Sequence, residues 1–222
     1  MAYEMYGGHA SVHLRYDSSD LNPTYKFGED TTKQSVAYLQ VGAPTYRISQ
    51  MIKNGGNILD AYGYVTVISP CGLPIRGIIG IRSDPIMMVA INCNNIDQSV
   101  AFYKSLGFVE LPYPYARPSN GKGQFEPAQE PKSVYLSFSP NSMGLLLLPT
   151  KNKRKGPIQP NRSIRELSIV YNPSEYNAAL IDKSENKNND LEGSNLIDPS
   201  GIPLSFLSIN DFEQEQKMIA VW

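Results

Sequence analysis

The fold is decided by the stretch Met88-Val-Ala-Ile-Asn-Cys-Asn-Asn-Ile-Asp-Gln-Ser-Val-Ala-Phe-Tyr-Lys-Ser-Leu-Gly-Phe108. Its first half is a short apolar run with a β-branched bias, which predicts a strand. Its second half changes to a helical period, and the apolar stripe consists of Ile96, Val100, Tyr103 and Leu106. Asn95 or Asp97 can cap the helix start with a side-chain oxygen, and Gly107 stands where a left-handed residue ends the helix. The stretch therefore predicts a strand, a helix, a glycine stop and a new strand.

The same order of elements recurs along the chain. One complete strand–helix–three-strand module is predicted for Pro85 to Thr150, another for about Lys33 to Arg82, and a third for Arg162 to Asn210. The residues before Lys33 supply one further strand, 9–16, as if a first module had lost its leading strand and helix. Internal repetition is therefore the main organisational feature of the sequence.

The segment Asp97-Gln-Ser-Val-Ala-Phe-Tyr-Lys-Ser-Leu-Gly-Phe108 resembles the signature Asp-x-x-Ser-x-x-Phe-Tyr-x-x-x-Leu-Gly-Phe of vicinal-oxygen-chelate (glyoxalase-fold) modules, with one residue fewer before the serine. Two further local matches are Ile52-Lys-Asn-Gly-Gly-Asn-Ile58 and Asp198-Pro-Ser-Gly201. Over the whole chain, the order and spacing of these segments resemble the two-domain glyoxalase I (lactoylglutathione lyase) of plants and of cyanobacterial descent. The resemblance implies a fold, and the chemistry has to be argued from the site itself.

The fold that the resemblance implies is α+β, with tandem βαβββ modules that pair into two glyoxalase-type domains. We expect an N-terminal domain over residues 1–84, with its first module truncated, and a C-terminal domain over residues 85–222. Each pair of modules is expected to form a half-open cup of eight strands flanked by helices.

The resemblance also implies a metal site in each cup. Family members bind Ni²⁺ or Zn²⁺ with a His or Gln from each first strand and a Glu from each last strand, and the metal polarises the hemithioacetal of methylglyoxal and glutathione. In the cup of the second and third modules, the matched positions are Val36, Arg76, Met88 and either Leu146 or Leu147. None of these side chains offers an oxygen or an imidazole, and Arg76 would repel a cation. We therefore expect no cofactor in this cup.

The other cup would use the first and fourth modules. Its matched positions are His13, Glu166 and Ser205, and the first-module His or Gln has no counterpart. His13 and Glu166 are weak metal candidates because tight binding usually takes three or more protein ligands. The alternatives are a half-exposed strand histidine beside Arg15 and a solvated or salt-bridged glutamate.

Composition disfavours several classes of function. The 222 residues carry 20 Lys+Arg and 21 Asp+Glu, a net charge of -1 that disfavours nucleic acid and anionic membranes as partners. No stretch is long and apolar enough to span a bilayer, and Met1–Gly8 resembles neither a signal nor a transit peptide. The two cysteines, Cys71 and Cys93, lack metal-site spacing and indicate a reducing compartment. The resemblance suggests the plastid stroma or the cytoplasm.

These observations predict a degenerate, non-catalytic glyoxalase-fold protein, a pseudoenzyme, that acts as a binding or structural subunit of a larger assembly. Its cup would be filled by side chains such as Met88 and Leu147. One alternative is an active lactoylglutathione lyase that uses Ni or Zn with glutathione, through a shifted ligand set around His13 and Glu166. A second alternative is a small-molecule binder with an open aromatic cup and no metal.

Overall fold

The structure is a computed structural model that describes residues 35–54, 56–60, 64–69, 73–79, 85–114, 130–140, 142–150, 167–171, 196–210 and 212–214. A first run of elements consists of β1 (Val36–Ala43), α1 (Thr45–Lys53), β2 (Asn57–Asp60), β3 (Val65–Ile68) and β4 (Pro74–Ile79). A second run repeats that order with β5 (Ile86–Cys93), α2 (Ile96–Ser105), β6 (Val109–Glu110), β7 (Val134–Ser137) and β8 (Gly144–Pro149). The remaining strands are β9 (Leu167–Tyr171), β10 (Leu196–Ile197) and β11 (Pro203–Ser208).

The two runs form one eight-stranded sheet in the order β2-β3-β4-β1-β5-β8-β7-β6. Within each run the first strand is parallel to the last, since β1 pairs with β4 and β5 pairs with β8. The runs meet where β1 and β5 pair antiparallel. The two halves of the sheet are therefore related by an approximate two-fold axis between β1 and β5.

Helix α2 forms as its sequence predicts. The side chain of Asn95 accepts a hydrogen bond from the backbone N–H of Gln98 at 3.2 Å, which makes Asn95 and not Asp97 the cap. Gly107 has a φ of 92°, a left-handed conformation that a side chain would strain. Tyr103 and Leu106 on the predicted stripe are buried.

The sheet has two buried faces. The helix face packs against α1 and α2, and its buried core includes Val36, Ile91, Cys93, Tyr103, Leu106, Phe108, Leu136, Leu145 and Leu147. The opposite face, here called the cup face, carries a second cluster of Tyr38, Met88, Ala90, Tyr113, Tyr135, Leu146 and Leu148. At Gly77 on the helix face, an added Cβ would stand 3.2 Å from Ile48 of α1, so the glycine allows that helix to pack closely.

The last three strands form a second sheet in the order β10-β11-β9. Its buried side chains Ile169, Ile202 and Leu204 join the helix-face core. The predicted turn at 198–201 closes with a hydrogen bond from the N–H of Gly201 to the carbonyl of Asp198 at 2.9 Å. This sheet therefore covers α2 and β5 from the helix side.

The prediction of an α+β fold is confirmed. The domain boundary after residue 84 stays a prediction: strands β1 to β4 precede it, β5 to β8 follow it, and β1 is hydrogen-bonded to β5. The strand predicted at 9–16 lies outside the described residues. Within the described part of the chain, neither helix is long and apolar enough to cross a membrane.

Candidate functional site

The centre of the cup face is a row of neighbouring residues on five strands. Thr66 on β3 pairs with Arg76 on β4, and Arg76 pairs with Gln40 on β1. Gln40 in turn pairs with Met88 on β5, and Met88 pairs with Gly144 on β8. Paired residues of adjacent strands point to the same face of a sheet, and Met88 belongs to the cup-face cluster. The approximate two-fold axis therefore relates Gln40 to Met88 and Arg76 to Gly144.

Arg76 brings a positive charge into the buried part of the cup face, where it is 8% exposed. Its guanidinium carbon lies 3.7 Å from the ring centroid of Tyr38 and 4.2 Å from that of Tyr64. Its Nε donates a long hydrogen bond of 3.4 Å to Oγ1 of Thr66. Among the described residues, no carboxylate forms an ion pair with Arg76. The aromatic rings therefore partly replace water around a charge that lacks a described counter-charge.

The Tyr38 hydroxyl does not supply the missing negative charge. Burial raises the pKa of the Tyr38 phenol well above its ordinary value, and the charge of Arg76 opposes that rise without cancelling it. Tyr113, Glu130 and Tyr64 raise the same pKa further. The phenol therefore stays protonated at neutral pH.

Gln40 is fully buried beside Arg76, with 0% of its surface exposed. Neither its Nε2 nor its Oε1 has a hydrogen-bond partner within the described part of the structure. Buried amides are nearly always hydrogen-bonded, because an unpaired one loses its bonds to water without compensation. The unpaired amide of Gln40 therefore costs stability in this structure.

The half of the cup opposite Arg76 is filled by aromatic side chains. A Cβ added at Gly144 would overlap the ring of Tyr135, so this ring occupies the space beside Met88. Tyr113 meets Tyr135 edge to face, with ring centroids 6.2 Å apart and an interplanar angle of 85°. Both tyrosines also line a cavity of about 470 Å³ at the β6–β7 edge of the sheet. The apolar half of the cup is thus filled at its centre, and a cavity lies at its edge.

Solved structures of glyoxalase I from Zea mays are similar to this chain. One superimposes with a TM-score of 0.57 at 16% identity over 83% of this chain and 71% of the other. Crystals of a mutant of that protein give a TM-score of 0.59 at 17% identity, over 82% of this chain and 71% of the other. The chain has the glyoxalase fold. At this identity the likeness extends to the fold alone, and no protein-family model or curated protein matches the sequence.

The described residues make it possible to locate the ligand positions predicted for the cup of the second and third modules. Met88 and Arg76 lie on the cup face, as predicted. The prediction for Val36 was wrong: Val36 pairs with Ile91 on the helix face, because a register shift between Val36 and Tyr38 changes which residues face the cup. The residue that stands opposite Met88 is Gln40.

The predicted carboxylate position on β8 also needs correction. Leu147 belongs to the helix-face core and does not fill the cup, whereas Leu146 lies on the cup face. The register partner of Met88 is Gly144, two residues earlier. At the position related to Arg76, the chain therefore has no side chain at all.

The side chains at the cup centre do not fit a divalent nickel or zinc ion. An amide oxygen of Gln40 can ligate such an ion, but the Met88 thioether suits softer metals and Gly144 offers no ligand. The Arg76 guanidinium would add a repulsive charge next to the ion. One donor of the right kind is too few, because protein sites for these metals usually supply three or more.

The second predicted cup cannot be compared in the same way. His13 and Glu166, the weak metal candidates, both lie outside the described residues, and their role stays a prediction. Ser205 of β11 is described, and its hydroxyl donates to Oγ of Ser168 on β9 at 2.8 Å. Across the described ranges, no group of three or more His, Cys, Asp and Glu side chains is placed to hold a metal.

A second buried polar cluster lies on the helix face. The hydroxyl of Tyr103 on α2 donates to Oδ2 of Asp198 at 2.9 Å, and Oδ1 of Asp198 accepts the backbone N–H groups of Ser200 at 2.9 Å and Ile202 at 2.7 Å. Burial raises the pKa of the Asp198 carboxyl, while these hydrogen bonds oppose the rise. Burial also raises the pKa of the neighbouring Cys93 thiol. The cluster joins the second sheet to helix α2.

Proposed function

We propose that this chain is a non-catalytic glyoxalase-fold protein, retained as a binding or structural subunit of a larger assembly. The observation that carries the proposal is the burial of Arg76 at the cup centre, where the resemblance to glyoxalase I leads us to expect a ligand carboxylate. A carboxylate there would serve two tasks, binding the metal and moving a proton between adjacent carbons. A guanidinium performs neither, because it repels cations and does not give up its proton at physiological pH.

The rest of the row supports the same proposal. Met88 cannot act as a general base. Gly144 has no side chain, and the ring of Tyr135 occupies the space beside it. Three of the four positions related by the approximate two-fold axis thus lack the groups that the lyase reaction needs.

The test is a metal analysis of the purified full-length chain together with a hemithioacetal isomerisation assay in added Ni²⁺ or Zn²⁺. An active lactoylglutathione lyase, assayed at equal concentration, serves as the positive control. We expect no stoichiometric metal and no turnover above the protein-free rate. Turnover that depends on bound nickel or zinc would refute the proposal.

A metal-dependent lyase is the second candidate, and Gln40 is the observation that favours it. Gln is one of the two residue types that the family uses on its first strands, and Gln40 is buried on β1 opposite Met88. His13 and Glu166 would have to supply ligands in the other cup. Substitution of Gln40 by Met tests a lyase that uses this cup, which would lose both metal and activity, whereas a lyase that uses the other cup would keep them.

The proposal of a larger assembly is based on exposed apolar side chains. Val109 on β6 is 52% exposed and Ile197 on β10 is 58% exposed, and both lie on strands at the edge of a sheet. Edge strands with apolar side chains favour contacts with another chain. Sedimentation analysis of the native protein in a source extract should give a mass above that of one chain. We propose a reducing compartment, plastid stroma or cytoplasm, for this assembly.

A further inference from the structure

A cavity of about 420 Å³ lies on the helix face, between helix α1 and strands β3 and β4. Its floor is formed by Val67 and Ile75, which are paired neighbours on the two strands. Met51, near the end of α1, forms one wall. The volume falls in the range of about 300–1,000 Å³ that is typical of small-ligand sites, so an organic molecule has room to bind here.

The wall beside α1 is held in place by the backbone at the end of the helix. The backbone N–H of Gly56 donates to the carbonyl of Met51 at 3.0 Å. A Cβ added at Gly56 would overlap the side chain of Val67 and would lie 2.8 Å from the carbonyl oxygen of Met51. The glycine therefore lets the chain turn from α1 into β2 in close contact with the floor of the cavity.

The corresponding region of the other half of the sheet is filled by aromatic rings. Phe108 immediately precedes β6 and Phe138 immediately follows β7, and their ring centroids are 4.0 Å apart in the helix-face core. In the first half, Gly56 immediately precedes β2 and Ser69 immediately follows β3. The approximate two-fold axis therefore relates the cavity beside α1 to a region beside α2 that is packed with side chains.

The rim of the cavity carries a positive charge. Arg47, Gln50 and Asn54 all line the cavity, and their spacing of three and four residues places them on one side of α1. Nη1 of Arg47 donates to Oε1 of Gln50 at 3.3 Å, and the guanidinium carbon lies 5.3 Å from the ring centroid of Tyr46. None of the described residues that line the cavity carries a carboxylate. The rim is therefore suited to an anionic group and the floor to an apolar one.

We infer that this cavity binds a small carboxylate with an apolar body, such as an arylalkanoic acid. The apolar body lies over Val67, Ile75 and Met51, where its burial removes apolar surface from water. The carboxylate lies at the rim and accepts hydrogen bonds from the guanidinium of Arg47. The cavity and the cup lie on opposite faces of the sheet, so the inference goes beyond the proposed function and does not depend on it.

The test is a titration of the isotope-labelled full-length chain, followed by the NMR chemical shifts of its backbone amides. The probes are hydrocinnamate, its uncharged amide, and propionate. Hydrocinnamate should cause saturable shifts at Met51, Val67 and neighbouring residues. The uncharged amide should bind about two- to fivefold more weakly, as expected for the loss of an ion pair with an exposed side chain. Propionate lacks the ring and should bind at least about tenfold more weakly than hydrocinnamate.

Two variants that are matched in charge locate the carboxylate. Arg47→Gln and Lys53→Gln each remove one positive charge from an exposed position of α1, and of the two residues Arg47 lines the cavity. Arg47→Gln should bind hydrocinnamate and its amide equally, whereas Lys53→Gln should keep the preference for the acid.

A third variant, Met51→Trp, places a larger side chain in the wall of the cavity. It should weaken hydrocinnamate binding at least about tenfold, because the ring of the probe and the new side chain compete for the same space. Circular dichroism and a thermal unfolding curve show that this variant is folded before its titration is interpreted.

Three results would overturn the inference. The first is the absence of saturable shifts with hydrocinnamate. The second is a set of shifts centred on Tyr113 and Tyr135, which would place the probe in the cavity at the β6–β7 edge. The third is an equal loss of affinity in Arg47→Gln and Lys53→Gln. These titrations measure neither metal nor turnover, whereas nickel-dependent turnover would refute the proposed function alone, so the two failures can be told apart.

Discussion

Two buried polar clusters of this protein differ in how the charged group at their centre is paired. On the helix face, Asp198 accepts the hydroxyl of Tyr103 and two backbone N–H groups, so both carboxyl oxygens are used. On the cup face, the amide of Gln40 has no partner in the described structure and Arg76 has no described counter-charge. The paired carboxyl of Asp198 stabilises the fold around it, although the buried hydroxyls of Ser99 and Ser200 nearby lack partners, whereas the unpaired amide of Gln40 costs stability. The Asp198 cluster therefore maintains the structure, and the cup face carries the candidate site.

The largest effect is expected from Asp198→Ala. This change removes the acceptor of three hydrogen bonds and leaves the Tyr103 hydroxyl and two backbone N–H groups buried without partners. Hydrogen bonds to charged groups contribute about 1.5–3 kcal/mol each, and orphaned donors add to the loss. We expect the free energy of unfolding to fall by at least about 3 kcal/mol in urea titrations. Asp198→Asn is the matched control, and a loss of equal size in both variants would contradict this explanation.

A smaller loss of stability is expected from Gly144→Ala. The added Cβ would overlap the ring of Tyr135, which would have to move within a packed cluster. Overpacking of this kind costs about 1–3 kcal/mol. Guanidinium unfolding should show that loss, and the double change Gly144→Ala with Tyr135→Ala should show no additional penalty from the glycine substitution. Additive losses would mean that the ring does not occupy this space.

The change Gln40→Met should stabilise the protein instead of destabilising it. The two side chains have similar shape, and methionine has no amide that needs a partner, so the free energy of unfolding should rise by about 1 kcal/mol. Tyr103→Phe is the matched change in the other cluster, where removal of a hydroxyl paired with a carboxylate should lower the same quantity by about 1.5–3 kcal/mol. A loss of stability in Gln40→Met would show that the amide is paired in the folded protein.

The smallest expected effect is a dependence of the unfolding free energy on pH in the acidic range. Burial raises the folded-state pKa of Asp198, so the folded chain holds this proton over a pH range in which the unfolded chain has released it. The stabilisation is complete below the ordinary carboxyl pKa and is lost as pH rises through the raised value. The neighbouring groups Tyr103 and Cys93 remain neutral there, because burial raises their pKa values as well.

The measurement is the difference in unfolding free energy between the native chain and Asp198→Asn across the acidic range. The native chain should lose stability relative to the variant as pH rises through that range. A difference that stays constant, or that grows in favour of the native chain, would contradict a raised pKa at Asp198.

The sequence predicted the helix-face elements well because their signals are local. The cap at Asn95, the left-handed Gly107 and the apolar stripe of α2 all lie within one short stretch and all form. The bond between Tyr103 and Asp198 joins residues 95 positions apart, and no local pattern indicates such a pairing. Long-range contacts of this kind can be identified only from the three-dimensional packing of the two sheets.

The cup face was harder to predict, and the reasons are physical. The register shift in β1 places Val36 on the helix face of the sheet. Counting residues back along the strand therefore identified Val36 as the ligand position and missed Gln40. Along Leu145 to Leu148, four leucines in succession show no alternation, because both faces of β8 are buried. The isolated polar side chain in the apolar strand 36–43 was the one available signal for Gln40.

The most direct test of the whole account is a calorimetric nickel titration of the metal-free chain beside its Gln40→Met variant. We predict that Arg76 keeps the cup centre free of the ion, so the two proteins should give the same isotherm. Binding of one nickel per native chain that disappears in Gln40→Met would contradict the account, because it would place a divalent cation directly beside the buried guanidinium.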